Sequence, residues 1–348
     1  MRDGIKRCLT LLLCTTLLFS LGGCGESQEQ EKDAVQGTDG RMQIGLSFDS
    51  FVIERWLRDR DVFVSTAKEL GADVNVQNAN GDSKQQISQL EYLIEKGVDA
   101  LVIVAVDCDA LSETVQKAKN QGIYVVCYDR LIQNAKSDLY ISFDNEIVGE
   151  MMAEALVESH PEGGKIFMIN GSPMDNNVKM VEEGFHRIID ESSLEIVYTS
   201  YCDNWLAEQA FSGVNDGLTK ERDICGVMCG NDDLASQAFR ALAENRMAGQ
   251  VALVGQDADL SACQRIVEGT QTMTVYKPVE ELAKTAAEET VALIKGQKVT
   301  SEYQTISDGK YKVPYIALQP IAVTKKNMSI ITDSGFHAAE DVYLNVSE

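Results

Sequence analysis

The sequence predicts an α/β protein made of two similar lobes, each a doubly wound parallel sheet, joined by a hinge of several strand crossings. Three observations carry this. Short apolar, β-rich runs alternate with amphipathic helical stretches along most of the chain, the pattern of right-handed βαβ units. The alternation stops after the run YISFDN and begins afresh beyond Asn145. Roughly 310 residues lie beyond Gly40, more than one hydrophobic core organises comfortably.

The first series opens with MQIGLSF as a strand, Ile53 to Leu70 as a helix, ADVNVQNA as a strand and Ser83 to Lys96 as a helix with Ile87, Leu90 and Ile94 on one face. DALVIVAV follows as a buried strand, Ala110 to Asn120 as a helix, and then a strand ending at Asp129. Gly71, Gly97 and Gly122 stand where each helix must stop. The second series reads as helix Val148 to Glu158, strand KIFMING, helix Val178 to Glu191 and strand LEIVYTSY. It continues with helix Leu206 to Leu218, strand ICGVMCG, helix Leu234 to Asn245, strand QVALVGQD, helix Ala258 to Glu268 and strand TMTVYKP. The expected division is 41–145 plus 277–315 for the first lobe and 146–276 plus 316–348 for the second, with crossings near 142–146, 274–277 and 311–320.

The first 23 residues have a basic start (Arg2, Lys6, Arg7), an apolar core from Leu9 to Leu21 and the small residues Gly22-Gly23 before Cys24. This is an export signal, too short to span a bilayer comfortably. It also resembles the lipobox of bacterial lipoproteins, which implies cleavage before Cys24 and lipid attached to it. Residues 24–40 are polar, acidic and nearly free of apolar side chains, as a flexible tether would be. The net charge is −23, and removal of residues 1–23, with three positive charges and one negative, leaves −25. Such a chain is a poor partner for nucleic acid or an anionic lipid surface, so any membrane contact is expected through the lipid alone. The six cysteines past Cys24 (Cys108, Cys127, Cys202, Cys225, Cys229, Cys263) have neither the spacing nor the neighbouring histidines of a zinc site. They read as buried free thiols, with a disulfide between two of them as the alternative.

The chemistry gathers at strand ends. In open α/β sheets ligands bind beyond the carboxyl edge of the strands. Asp129 and Arg130 follow one strand, Asp257 follows another, and Asn176-Asn177 and Asn231 occupy turns after two more. A sugar needs charged hydrogen-bonding groups for its hydroxyls and flat aromatics for its faces. The two tryptophans, Trp56 beside Arg55 and Trp205 after Asp203-Asn204, lie at strand-to-helix junctions and are expected to flank a ring. The alternative for each is packing in its own lobe's core.

The strings RWLRDRDVFV, QNANGD, YDR with YISFDNEIVGE, NGSPMDNN, GNDD, GQDADL and TQTMTVYKP, in this order from Gln43 to His337, resemble the periplasmic sugar-binding proteins of ABC transporters, with their type I two-lobed fold. One departure is the opening SFDSFVIERW, where the family carries two acids after the first strand. The resemblance implies no enzyme activity and no cofactor. It implies a monosaccharide ligand, a pentose and D-xylose first, and delivery by a monomer to the transmembrane subunits of an ABC permease. The same site in a lipoprotein that presents sugar to a sensor kinase or chemoreceptor is the alternative. By the same resemblance the ligand-binding residues are Arg55, Trp56, Asp129, Arg130, Asn176, Asn177, Trp205, Asn231, Asp257 and Lys277, the sequence leaving open which of the two adjacent asparagines points inward. A regulator of this fold would begin with a helix-turn-helix where this chain has a lipobox. The three isolated histidines and the lack of a nucleophile elbow or phosphate loop argue against an enzyme, Asp129 and Asp257 as a glycosidase pair being the remaining case.

Overall fold

The computed structural model describes residues 40–298 and 304–346. The expected export signal, Cys24 and all of the expected tether except Gly40 lie outside the described residues.

The first series forms β1 (Met42–Phe48), α1 (Arg55–Glu69), β2 (Ala72–Asn78), α2 (Ser83–Glu95), β3 (Ala100–Ile103), α3 (Ser112–Asn120), β4 (Tyr124–Tyr128) and β5 (Leu139–Phe143). Its strands are the apolar runs and its helices carry one buried stripe each, such as Leu90, Leu93 and Ile94 of α2. The second series forms α4 (Asn145–Ser159), β6 (Gly164–Asn170), α5 (Asn176–Ile189), β7 (Leu194–Tyr201), α6 (Glu208–Lys220), β8 (Gly226–Cys229), α7 (Asp232–Glu244), β9 (Ala252–Gln256), α8 (Leu260–Glu268) and β10 (Met273–Tyr276). Beyond the alternation lie α9 (Val279–Ile294), β11 (Gln304–Ser307), β12 (Lys312–Leu318), β13 (Ile321–Val323), α10 (Ser329–Asp333) and α11 (Ala339–Val342).

The described residues form two sheets, and the cores of both follow one plan. The first runs β2-β1-β3-β4-β5 and the second β7-β6-β8-β9-β10, all parallel, so the strand order reverses at the same place in each, between β1 and β3 and between β6 and β8. The edges are mixed. β12 extends the first sheet parallel to β5 and carries β11 antiparallel, while β13 closes the second sheet antiparallel to β10.

The chain passes between the sheets after β5, after β10 and between β12 and β13. The last passage is later than the expected boundary at 315, because Ile316 to Leu318 are still paired with Ile141 to Phe143. Helix α9 packs on α1, β4 and β5 and so returns to the first lobe, whereas Met328, Ile331, Phe336 and Val342 pack with Cys263 and Ile266 on the second. The six cysteines are free, five of them buried. Among the described residues no helix is long and apolar enough to cross a membrane.

Candidate functional site

The two sheets turn their carboxyl edges toward each other, and polar side chains from both meet there. At the end of β4, Asp129 takes φ +65°; at the end of β9, Asp257 takes φ +94°. Aspartate tolerates this left-handed region better than most residues, yet it is uncommon and collects at functional positions. The two acids are equivalent in the repeated plan. Asp129 N donates to Ile141 O in the next strand, and Asp257 N donates to Val275 O in its next strand, both at 2.8 Å. Each sheet therefore aims one carboxylate out of its edge.

Asp129 is ringed by cations. Arg55 Nη1 lies 2.9 Å from its Oδ2, and Arg55 is in turn forked onto Asp59 through Nε at 3.2 Å and Nη2 at 2.8 Å. Burial pushes the Asp129 carboxyl up, but Arg55, Lys277 and Arg130 outweigh it and hold the group below the usual carboxylate value. Arg55 and Asp59 are both buried, and Tyr128 donates its hydroxyl proton to Asp59 Oδ1. Arg130 donates through Nη1 to Asp49 Oδ2 and to Ala105 O, each at 2.9 Å.

Several contacts join the lobes. Asn177 Nδ2 donates to Asp129 Oδ1 and to Asp129 O, both at 3.0 Å, and the Tyr140 hydroxyl of the first lobe donates to Asn177 Oδ1 at 3.3 Å. Asp175 lies 2.7 Å from Arg130 Nε, a charge contact in which the N–H is not aligned for a hydrogen bond. Its other oxygen caps α5 by accepting from Asn177 N at 2.9 Å. Cys108 N donates to Met174 O at 3.1 Å. Lys277, just past β10, lies 3.0 Å from Asp257 Oδ1, again without hydrogen-bond alignment. Asp49, Asp59 and Asp175 are all pushed above the usual carboxylate value by burial, against the pull of their arginine partners.

The tryptophans differ. Trp205 is 7% exposed, donates Nε1–H to Asp175 Oδ2 at 3.2 Å, and lines a cavity of ≈ 160 Å³ together with Asp49, Arg130 and Ser172. Its ring lies on Gly171, where any Cβ would run into it. Trp56 is 1% exposed, packs on Phe48, and has the guanidinium carbons of Arg55 and Arg130 over its ring at 4.5 and 5.7 Å. It therefore backs the two arginines from within the first lobe's core.

Of the expected residues, the structure gathers Arg55, Trp56, Asp129, Arg130, Asn177, Trp205, Asp257 and Lys277 at the facing edges. Asn231 stands at the same edge but commits its Oδ1 to Leu234 N at 2.9 Å as the cap of α7. Asn176 is not brought in. Successive helical residues diverge by about 100°, so with Asn177 turned inward Asn176 lines an outer groove beside Lys179, Glu182 and Tyr201. Asp49, Asp59, Asp175, Tyr128 and Tyr140 were not singled out by sequence. Asp59 had a visible signal, a charge on the buried stripe of α1 between Trp56 and Phe63.

Residues 44–298 match the model of the periplasmic binding protein domain family. The chain is 44% identical over 308 residues to the D-xylose-binding periplasmic protein of Haemophilus influenzae, covering 87% of this chain and 92% of that one. It is 41% identical over 341 residues to the D-xylose-binding periplasmic protein of Escherichia coli, covering 96% and 98%. Among solved structures it is similar to a carbohydrate transporter solute-binding protein of Chloroflexus aurantiacus in complex with D-glucose, with 27% identity, a TM-score of 0.79, and coverage of 86% of this chain and 98% of that one.

Proposed function

The chain belongs to the periplasmic binding protein family, a family of exported solute-binding proteins and not of enzymes, and on that premise we propose that it captures D-xylose between its lobes and hands it to an ABC permease. It is a sugar-binding protein of the kind that serves such transporters. D-xylose itself, the anchor at Cys24 and the permease partner are the further steps of the reading. The observation that carries it is the meeting of Asp129 from the first lobe with Asn177 from the second, flanked by Arg55, Arg130 and Trp205. Beside them Asp49, Arg130, Asn80 and Asn204 line the cavity with Trp205, and carboxylate, guanidinium and amide groups held at fixed directions suit a ligand whose every hydroxyl both donates and accepts. The indole of Trp205 supplies the flat apolar face that a pyranose ring needs.

The binding groups are divided between lobes, so a sugar touching both sets stabilises their approach by its differential affinity for the closed arrangement. Cys24 is proposed to hold the protein at the outer face of the cytoplasmic membrane by its lipid alone. A thermal-shift screen over pentoses and hexoses tests the ligand, since whatever binds only the folded state raises the midpoint. D-xylose should give a large shift among the pentoses. No shift with any pentose at millimolar concentration refutes the reading.

A further inference from the structure

The turn that follows β9 is pinned at three successive backbone N–H groups. Asp257 N donates to Val275 O at 2.8 Å, Ala258 N to Thr274 Oγ1 at 3.1 Å, and Asp259 N to Asp232 Oδ2 at 3.2 Å. Two of these acceptors are side chains that reach the turn from other elements, Thr274 from β10 and Asp232 from the start of α7. Both are fully buried and neither lines the cavity at Trp205.

The direction of the bonds is determined by the partners available. Thr274 donates its single hydroxyl proton to Asp232 Oδ2 at 2.6 Å, which leaves a lone pair of Oγ1 for Ala258 N. Gln271 Nε2 donates to Asp232 Oδ1 at 2.9 Å and fixes the carboxylate from its other side, while Gln271 Oε1 accepts from Arg265 Nε at 3.0 Å. Space for the carboxylate exists because residue 255 is glycine. A Cβ there would collide with Asp232 Oδ1.

This network holds a backbone that would not stay put unaided. Asp257 has φ +94° and Ala258 φ +55°, and a non-glycine turn in that region persists only where its surroundings over-determine it. We infer that Asp232 and Thr274 are positioning residues for ligand capture: they hold the 257–259 turn so that the Asp257 carboxylate points to the cleft beside Lys277. The inference rests on the reading of Asp257 as a sugar contact. Without the Thr274 hydroxyl, Ala258 N loses its acceptor, the turn relaxes, and the carboxylate leaves its place 3.0 Å from Lys277 Nζ.

A purely structural role would also lower stability, so the test reads coupling to Asp257. D-xylose affinity is measured calorimetrically for the parent, Thr274→Val, Thr274→Ser, Asp257→Asn and the Thr274→Val/Asp257→Asn double variant, each with a melting curve in the absence of sugar. Thr274→Val should weaken binding by about tenfold or more, Thr274→Ser should stay within about twofold, and Thr274→Val should add almost nothing in the Asp257→Asn background. Parent-like affinity of Thr274→Val, or factors that simply multiply in the double variant, overturns the inference while leaving Asp257 as a contact. An unchanged affinity for Asp257→Asn removes the contact itself and the inference with it. If Thr274→Val melts too low to titrate, Asp232→Asn replaces it with the same expectations.

Discussion

Replacing Asp129 by asparagine isolates its charge from its geometry. The position has φ +65°, and asparagine is among the few residues that accept this without strain, so the backbone should remain in place. What changes is the set of partners. The carboxylate serves Arg55 through Oδ2 at 2.9 Å and Asn177 through Oδ1 at 3.0 Å. An amide offers one oxygen for these two donors and turns an N–H₂ toward the other, so one buried charge-assisted bond is lost. Such bonds contribute about 1.5–3 kcal/mol, which corresponds to roughly 10- to 150-fold in Kd. Arg55 keeps its fork onto Asp59, so the first lobe retains that anchor and the melting temperature without sugar should fall by no more than several degrees. Calorimetric titration of parent and Asp129→Asn with D-xylose, beside their melting curves, separates the two effects. A variant that binds with parent Kd and full stoichiometry would refute the placement of Asp129 in the site.

Three further outcomes are expected. Burial pushes Asp232 up to about 7 and Asp233 up to about 6, the former against its bonds from Thr274 and Gln271 and the pull of Arg265. A carboxyl whose folded value is raised holds a proton that the unfolded chain has released, so its contribution to stability is full below the unfolded value and is lost as pH rises from there through the folded one. Melting temperature without sugar should therefore be higher at about pH 5.5 than at about pH 7.5, above the range where the depressed Asp129 titrates, and Asp232→Asn should flatten the slope; a flat parent profile refutes this. Cys24→Ser should release the protein from membranes of a lipidating host, and unchanged membrane fractionation would place the anchor elsewhere. Saturating sugar should reduce the radius of gyration in small-angle scattering, and an unchanged radius with binding confirmed separately would mean a preformed cleft.

The sequence made the repeated α/β plan legible because its signals are local. β1 and β7 appear at the expected residues, and the helix stops at Gly71, Gly97 and Gly122 all have φ between +71° and +90°. The part after β10 was less readable for two reasons. Helix α9 has a clear apolar period through Leu282, Ala283, Ala286 and Ala287, but it lies outside the alternation that guided the reading. β12 carries Pro314 in its middle, a residue that argues against an inner strand. It is tolerated where Pro314 faces Thr305 of the outermost strand, β11.

The same distinction divides the site. Asp129, Arg130 and Asp257 can be picked out because each follows a strand, and position after a strand is a property of the chain alone. Asp175 caps α5, a role local to its own helix. Its second task, meeting Arg130 and Trp205, exists only because the other lobe and the next loop arrive there. Asp49 and Asp59 follow the same rule, since their arginine partners define their roles. The lobes share a plan, yet they fill it differently. The first surrounds its projecting acid with two guanidiniums backed by Trp56, and the second holds its acid through a buried carboxylate, a hydroxyl and an amide. Strand order and the two aspartates at positive φ are thus common to both halves, while the side chains that hold those aspartates are particular to each. A sugar bound between them would meet a guanidinium-rich wall on one side and an indole with amide and carboxylate groups on the other. Its orientation would then be set by that asymmetry, because a ring turned end for end would face its hydroxyls to groups of different charge and donor capacity.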